Sequence, residues 1–303
     1  MNASCVKHDV YLYGMTVYST IHLLEGSYPE ADSYAEIRET WNIPGGETAN
    51  SAVVLSKLGL KVKIDGPFLG RKTKDGIIEL CGKHGIDCSG MHYDHDFEGV
   101  QDLIFVAGNT RTIFGRFGSY FREDRKWSKP DIGSIEAADI VSLDPFFEEE
   151  SKAVAEYCSR IGRKYVTIDC PYGGEILRNT AAVVISNEYI RSQYPDVNIE
   201  ELFKKYAAAA QGLVIFTFGS KEIIYGRRGE EIKRLAPYRV EVKSTLGAGD
   251  TFRGGVVYGV LKGFSDEDTV KFAAATAASA CKRFPFALNP PSLDEIMTLI
   301  AGK

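Results

Sequence analysis

The sequence predicts an α/β fold, a doubly wound, mostly parallel sheet covered by helices on both faces. Three observations carry this. Short apolar runs that read as strands alternate with helical stretches at close spacing between Val10 and Phe218, which is the pattern of a parallel sheet with crossover helices. The alternation breaks once, between Asp87 and Phe117, where two strand-like runs follow one another with no helix between them. Near the C-terminal end, a strand-like stretch passes through a Gly-Ala-Gly turn into a helix rich in small residues. The 303 residues suffice for one large domain, residues 1–303, with a substantial core.

Val10–Val17 reads as a buried first strand ending near a glycine turn, and residues 47–58 as a helix stopped by Gly59. Val62–Leu69 is the next strand and Asp75–His84 the next helix, closed by Gly85. Val100–Val106 and Arg111–Phe117, joined at Gly108-Asn109, form the hairpin. Residues 118–130 are charged and aromatic without periodicity, so they predict a surface loop. Strands follow at Ala138–Leu143, Tyr165–Asp169, Ala182–Ser186 and Leu213–Phe218, with helices over Glu148–Ile161 and Glu200–Gln211. Arg239–Val242 reads as a strand, Gly254–Gly263 as a helix, and Asp266–Arg283 as a long Ala-rich helix.

The net charge of −5 offers no clustered positive charge for nucleic acid or anionic lipid, so a small-molecule substrate is the better expectation. Six cysteines, at 5, 81, 88, 158, 170 and 281, form no C-x-x-C and no dense framework. They read as reduced thiols in a cytoplasmic protein. No apolar run is long enough to predict a membrane span or a signal peptide. His92, Asp94, His95 and Asp96 offer metal-ligand types, but their order fits no zinc pattern, and a turn is the simpler reading.

Chemistry concentrates in Ser244–Gly255, S-T-L-G-A-G-D-T-F-R-G-G. A helix N-terminus presents unpaired N–H groups and the positive end of its dipole, which suits a phosphate or a developing anion. Gly247, Ala248 and Gly249 occupy that position. Asp250 beside them would repel a phosphate unless it had another task, and a general base on a hydroxyl is such a task. The pairing points to phosphoryl transfer to an alcohol. A Gly-Ala-Gly turn with a capping Asp could equally be structural.

The run T-L-G-A-G-D-T-F followed by R-G-G resembles the C-terminal signature of the ribokinase/PfkB family of carbohydrate and nucleoside kinases. Upstream, Gly45-Gly46-Glu47-Thr48-Ala49-Asn50 resembles the family's G-G-x-x-x-N segment, where paired glycines admit a sugar and the Asn supplies donors and acceptors. The two signatures lie about 200 residues apart, so the resemblance spans nearly the whole chain. It implies a ribokinase-like fold with a small β lid from about 18–43 and 88–118, Asp250 as base, and Gly247, Ala248 and Gly249 as the anion hole. It also implies ATP and Mg2+ as cofactors. Substrate contacts fall on Gly45, Gly46, Asn50 and Ser19, which stands where members commonly carry an Asp that holds two sugar hydroxyls. Tyr28–Ser33 and T-R-T-I-F resemble ketohexokinases (fructokinase-like members) and add Asp32 and Arg111. Asn187 matches the first residue of an N-x-x-E motif whose Glu position is Ile190, and Thr217 and Gly219 match a nucleotide loop. Ser244, often Asp in members, and the loop F-P-F-A-L-N-P-P, which lacks a frequent glycine, bear on K+, a candidate third ion.

The expectation is an ATP-dependent kinase of a small monosaccharide, ketohexose- or pentose-like, with no metal ligated directly by side chains. Pairing of lids, usual in the family, implies a homodimer. Two alternatives stand beside it: a nucleoside (adenosine-like) kinase, with Tyr18, Tyr28, Tyr34 and Trp41 available as a floor for a base, and a non-catalytic sugar or nucleotide sensor, suggested by Ser19, Glu47 and Ile190.

Overall fold

The computed structural model describes residues 7–108 and 110–302. Cys5 and the turn residue Asn109 lie outside the described residues. The first strand β1 (His8–Tyr13) is followed by β2 (Val17–Leu24), β3 (Ile37–Gly45), helix α1 (Glu47–Lys57) and β4 (Val62–Asp65). Next come β5 (Leu69–Gly70), α2 (Lys74–Lys83), β6 (Ile86–Asp87), β7 (Tyr93–Asp94), and the hairpin β8 (Gln101–Ala107) and β9 (Thr110–Gly115). A short turn α3 (Phe117–Ser119) and α4 (Ile132–Ala137) lead to β10 (Ala138–Leu143), α5 (Glu148–Arg160), β11 (Tyr165–Ile168), α6 (Glu175–Arg178) and β12 (Ala182–Ser186). The chain continues through α7 (Asn187–Gln193), α8 (Ile199–Ala209), β13 (Leu213–Thr217), β14 (Ile223–Gly226) and β15 (Lys233–Leu235). Helices α9 (Ala248–Lys262), α10 (Asp266–Cys281) and α11 (Leu293–Ala301) complete it.

The large sheet runs β15-β14-β13-β12-β11-β10-β1-β4-β6. It is parallel from β13 to β6, and β14 and β15 add an antiparallel edge. Alternate strand residues feed different cores. Val10, Leu12, Ile140 and Val166 face α1, α9 and α10, while Tyr11, Tyr13, Val141 and Tyr165 face the other side. Burial on both faces explains why these strands read as nearly continuous apolar runs. A second sheet, β3-β2-β8-β9, stands apart as the lid; within it β2 pairs antiparallel with β3 and parallel with β8.

Three local expectations are corrected. Residues 118–130 do not form a surface loop: they wind through a π-turn at Tyr120–Asp124, and Tyr120 and Trp127 are buried among Tyr13, Phe121 and Phe147. Aromatic rings fill space whatever the local backbone, so a stretch without periodicity can still be core. Arg239–Val242 pairs with no strand among the described residues; Tyr238 is buried beside it while Val242 is exposed. Val62–Leu69 is interrupted after Asp65, and its last residue belongs to the two-stranded β5-β7 ladder. The antiparallel pair β14-β15 is not among the elements expected from sequence, although the apolar run Ile223–Tyr225 before a glycine-containing turn marks it.

The five described cysteines, 81, 88, 158, 170 and 281, are free. Among the described residues no helix is long and apolar enough to cross a membrane. Asp94, His95 and Asp96 do gather on an exposed turn, where Asp94 pairs with Lys126 at 2.8 Å and accepts from the Asp96 N–H.

Candidate active site

In the large sheet the chain winds outward in both directions from β1 and β10, so the crevice beyond their C-terminal ends is the topological switch point, the usual ligand site of such sheets. Asp144 stands there, directly after β10 and fully buried. Its carboxylate accepts from the Met15 N–H at 2.7 Å and the Thr48 hydroxyl at 3.0 Å, and forms an ion pair with Arg253, which is also fully buried. Arg253 lies one turn into α9 and donates further to Ser51 Oγ at 3.0 Å and to the Glu47 carbonyl. Ser51 in turn donates to the Asp250 carbonyl at 2.9 Å. The start of α9 is thus pinned to the end of β10 and to the first turns of α1. A buried pair with its remaining valences filled is costly to break, because either partner alone is a stranded charge.

On this frame Asn50 donates from Nδ2 to Asp250 Oδ2 at 2.8 Å. The two family signatures therefore meet in space, and the side chain of one orients the carboxylate of the other. Solvent reaches one edge of Asp250, yet protein packs densely enough around the rest that burial pushes its pKa up to about 6, against the pull of Arg253 and the Asn50 hydrogen bond. Glu47 has the same character more strongly: burial, with Asp144 and Asp250 nearby, pushes it up to about 8.

Gly247 caps α9 in the left-handed region, φ 72°, and a Cβ there would sit 2.4 Å from the Phe286 ring. Both facts require glycine. The Ala248 N–H turns back to the Thr245 carbonyl at 3.2 Å, whereas those of Gly247 and Gly249 donate to nothing among the described residues. Nothing lies within 4 Å of where a Gly249 Cβ would be, so the helix end opens onto free space. Two unengaged N–H groups beside an open volume fit a phosphoryl oxygen.

Gly46 caps α1 with φ 83°, where a Cβ would meet the Met15 carbonyl oxygen at 2.6 Å. Gly45 lies so close to Ser19 that a Cβ would be 1.9 Å from Ser19 Oγ. Arg111 reaches from the lid to the loop before the helix, its Nη1 3.4 Å from Thr245 Oγ1. Asp32 stands exposed between β2 and β3, at φ 62°, with no contact to these groups among the described residues. Asn187 begins α7 after β12, Thr217 ends β13, and Gly219 follows at φ 64°, so all three occupy the same sheet edge, two and three strands from β10. Ile190, where the motif's Glu would be, is buried in an apolar cluster with Leu202 and Phe203. Instead, Asp169, at the end of β11 with φ 38°, accepts from the Ser186 N–H and hydroxyl at 2.7 and 2.9 Å and acts electrostatically on Asp250. Its carboxylate, with Glu188 nearby, suits a divalent cation held through water. A cavity of about 640 Å³, lined by Arg163, Lys164, Thr180 and Gly212, opens at the opposite, N-terminal edge of the sheet and contains none of these residues.

Asp144, Arg253 and Asp169 were not singled out from sequence. Arg253 had a signal: a charged side chain in an otherwise small and apolar helix must find a buried partner. Asp144 had a weaker one, a carboxylate ending a strand that is buried on both faces.

A family model described as pfkB family carbohydrate kinase matches residues 7–285. A ribokinase of Lactococcus lactis is 23% identical over 265 residues, covering 84% of each chain. A nucleoside kinase of Methanothermobacter thermautotrophicus is 24% identical over 285 residues, covering 89% of this chain and 88% of its own. The structure of Arabidopsis thaliana ribokinase complexed with ribose and ATP superposes with a TM-score of 0.78 at 17% identity, covering 97% of this chain and 99% of that one.

Proposed function

The chain belongs to the pfkB family of carbohydrate kinases, phosphotransferases that act on alcohol groups, and we propose that it uses ATP to phosphorylate a hydroxyl of a small monosaccharide, ketohexose- or pentose-like, with Asp250 as general base. The observation that carries the reading is the pairing of Asn50 with Asp250 at the mouth of α9: a carboxylate oriented at 2.8 Å, with its pKa raised toward neutrality, beside unengaged N–H groups. A base tuned upward transfers protons more effectively near neutral pH than an ordinary carboxylate.

Bound ATP with Mg2+ supplies the transferable γ-phosphoryl group. Gly247 and Gly249 would bind its oxygens through their N–H groups, Asn187, Thr217 and Gly219 would hold the nucleotide side, and Asp169 would serve the ion through water. Asp250 Oδ takes the proton of the attacking hydroxyl, Asn50 keeps that oxygen aimed, and the Asp144–Arg253 pair fixes the helix that carries it. Arg111, bridging lid to loop, closes the site against water. Ser244 offers no carboxylate for K+ at that position, and its hydroxyl accepts from the Leu246 N–H at 3.1 Å; comparing K+ with Na+ in the assay tests whether the ion acts here.

A nucleoside kinase is the second reading, supported by 24% identity to a nucleoside kinase beside 23% to a ribokinase. The aromatic residues lend it little: Trp41 packs edge-on against Phe284, Tyr18 lies on Gly76, and Tyr28 and Tyr34 are 41% and 81% exposed. A sensor without catalysis would have no use for an oriented, pKa-shifted Asp250.

Coupled ADP release with Mg-ATP over a panel of ketoses, aldoses and nucleosides tests the proposal. Asp250→Asn should lower turnover roughly 100-fold to 10,000-fold with an unchanged melting temperature. A rate within a few-fold of wild type would remove Asp250 from its role.

A further inference from the structure

Burying a polar atom without a hydrogen-bond partner is unfavourable, and each such atom in a folded protein calls for a reason. Three of them lie along a single path through the lid and α1. Asp102 on β8 is 8% exposed with Oδ1 unpartnered, Ser19 on β2 is 1% exposed with Oγ unpartnered, and Asn50 is 7% exposed with Oδ1 unpartnered. Ser19 and Asp102 are neighbours in the parallel β2-β8 register, so their side chains leave the sheet on the same face. That face is the inner one: Ile21, Ile104 and Val106 beside them are buried, whereas Leu103 on the other face is exposed. Ser19 Oγ lies against Gly45, Gly45 leads into α1, and Asn50 one turn along α1 is bonded to Asp250.

The Ser19 hydroxyl is near enough to stabilise the Asp102 anion, but it closes no hydrogen bond to it in this geometry. Arg116, next to the Gly115 that pairs with Asp102, lines the same surface cavity, yet burial and the Ser19 hydroxyl are what act on the Asp102 carboxylate. Arg111 occupies the same face of the lid further along β9, opposite Val106, and is directed to Thr245. A carboxylate left this way needs donors from outside the chain. Hydroxyl groups meet the need, since an ammonium would find one carboxylate, one hydroxyl and an arginine on the same face.

We propose that Asp102 binds a vicinal pair of hydroxyls at the lid end of a polyhydroxylated substrate, with Ser19 Oγ bonding beside it, so that the sugar lies between this pair and Asp250. The inference rests on the sugar-kinase reading and deepens it. It restores on β8 the two-pronged acceptor that Ser19 does not provide on β2.

The test uses the full chain with Mg-ATP and D-fructose, D-ribose or adenosine, comparing wild type with Asp102→Asn, Asp102→Ser and the double variant Ser19→Asp with Asp102→Ser. Asp102→Asn should raise the KM for the sugar about tenfold or more, the size expected for a lost charge-assisted hydrogen bond. The loss should fall on KM more than on kcat, the KM for ATP should stay put, and the ligand-free melting temperature should rise because a stranded carboxylate has been removed. The double variant should recover part of the sugar KM lost in Asp102→Ser. An unchanged sugar KM, or a raised KM accompanied by a lower melting temperature, overturns the assignment while the kinase reading stands. If adenosine alone is turned over, its ribose diol takes the place of the sugar's: a KM for adenosine raised in Asp102→Asn then keeps the assignment while ending the monosaccharide reading, and an unchanged one overturns it. A wild type silent on these three and on the wider panel of ketoses, aldoses and nucleosides ends both readings.

Discussion

At the scale of single residues, the site is a set of carboxylates held at different protonation states by their surroundings. Asp250 is pushed up to about 6 chiefly by burial, and Glu47 to about 8 by burial and its two carboxylate neighbours. A general base must be ionised to act. The kcat/KM for the sugar should therefore fall about tenfold per pH unit below about 6 and level off above it, the limb reporting the free enzyme's base. Through that range Glu47 keeps its proton, so Glu47→Gln should leave the acid limb in place. A pH–rate profile of the two proteins measures this, and a limb displaced in Glu47→Gln by more than about half a unit would mean that the two carboxylates share one titration. Sequence showed Asp250 through its motif, which also contains Arg253, but its pKa depends besides on Asp144 and Asp169, which reach it from the ends of two other strands. No local pattern could report that.

At the scale of elements, the start of α9 does two jobs with two glycines on either side of Ala248, and the geometry separates them. Gly247 is a structural requirement: its φ of 72° and the Phe286 ring 2.4 Å from a Cβ both penalise any side chain. Gly249 is open, and its backbone is helical. Gly247→Ala should therefore lose roughly 1–2 kcal/mol for the left-handed backbone alone, plus the cost of displacing the ring. Gly249→Ala should gain up to about 1 kcal/mol of stability from helix propensity, yet lose activity because its methyl group enters the volume meant for phosphate. Thermal melts read beside turnover check this. A Gly249→Ala protein as active as wild type would show that the phosphate lies elsewhere. The strand-turn-helix character of this region was legible because glycine, small residues and a carboxylate follow one another in a fixed order. The preceding Arg239–Val242 misled, since alternating valines mark a strand only where a partner strand exists. The aromatic segment 118–130 misled in the opposite sense, its burial being set by Phe147 and Tyr13 across the fold.

At the scale of the whole molecule, the parallel sheet was legible because burial on both faces leaves apolar runs, and the lid because its hairpin lacks a crossover helix. What sequence alone left open was the lid's two faces. The inner face carries Ser19, Asp102 and Arg111 toward the site. The outer face carries Leu103 opposite Phe114, 45% and 49% exposed, with Phe105 packed between Phe114 and His22. β3 and β9 are sheet edges with unpaired backbone groups. A four-stranded sheet with an apolar outer face and two open edges gains by covering both. We propose that a second copy of the chain covers the outer face, its lid against this one, which would also restrict how the lid moves over the substrate. Sedimentation at micromolar concentration should give a dimer, and Leu103→Lys combined with Phe114→Lys should give a monomer. Because Asp102 and Ser19 point to the opposite face, the monomer should keep its ATP site and lose sugar affinity only as far as the lid loosens. A wild-type monomer at that concentration would leave the outer face without this role, and the inner face would then have to order the sugar unaided.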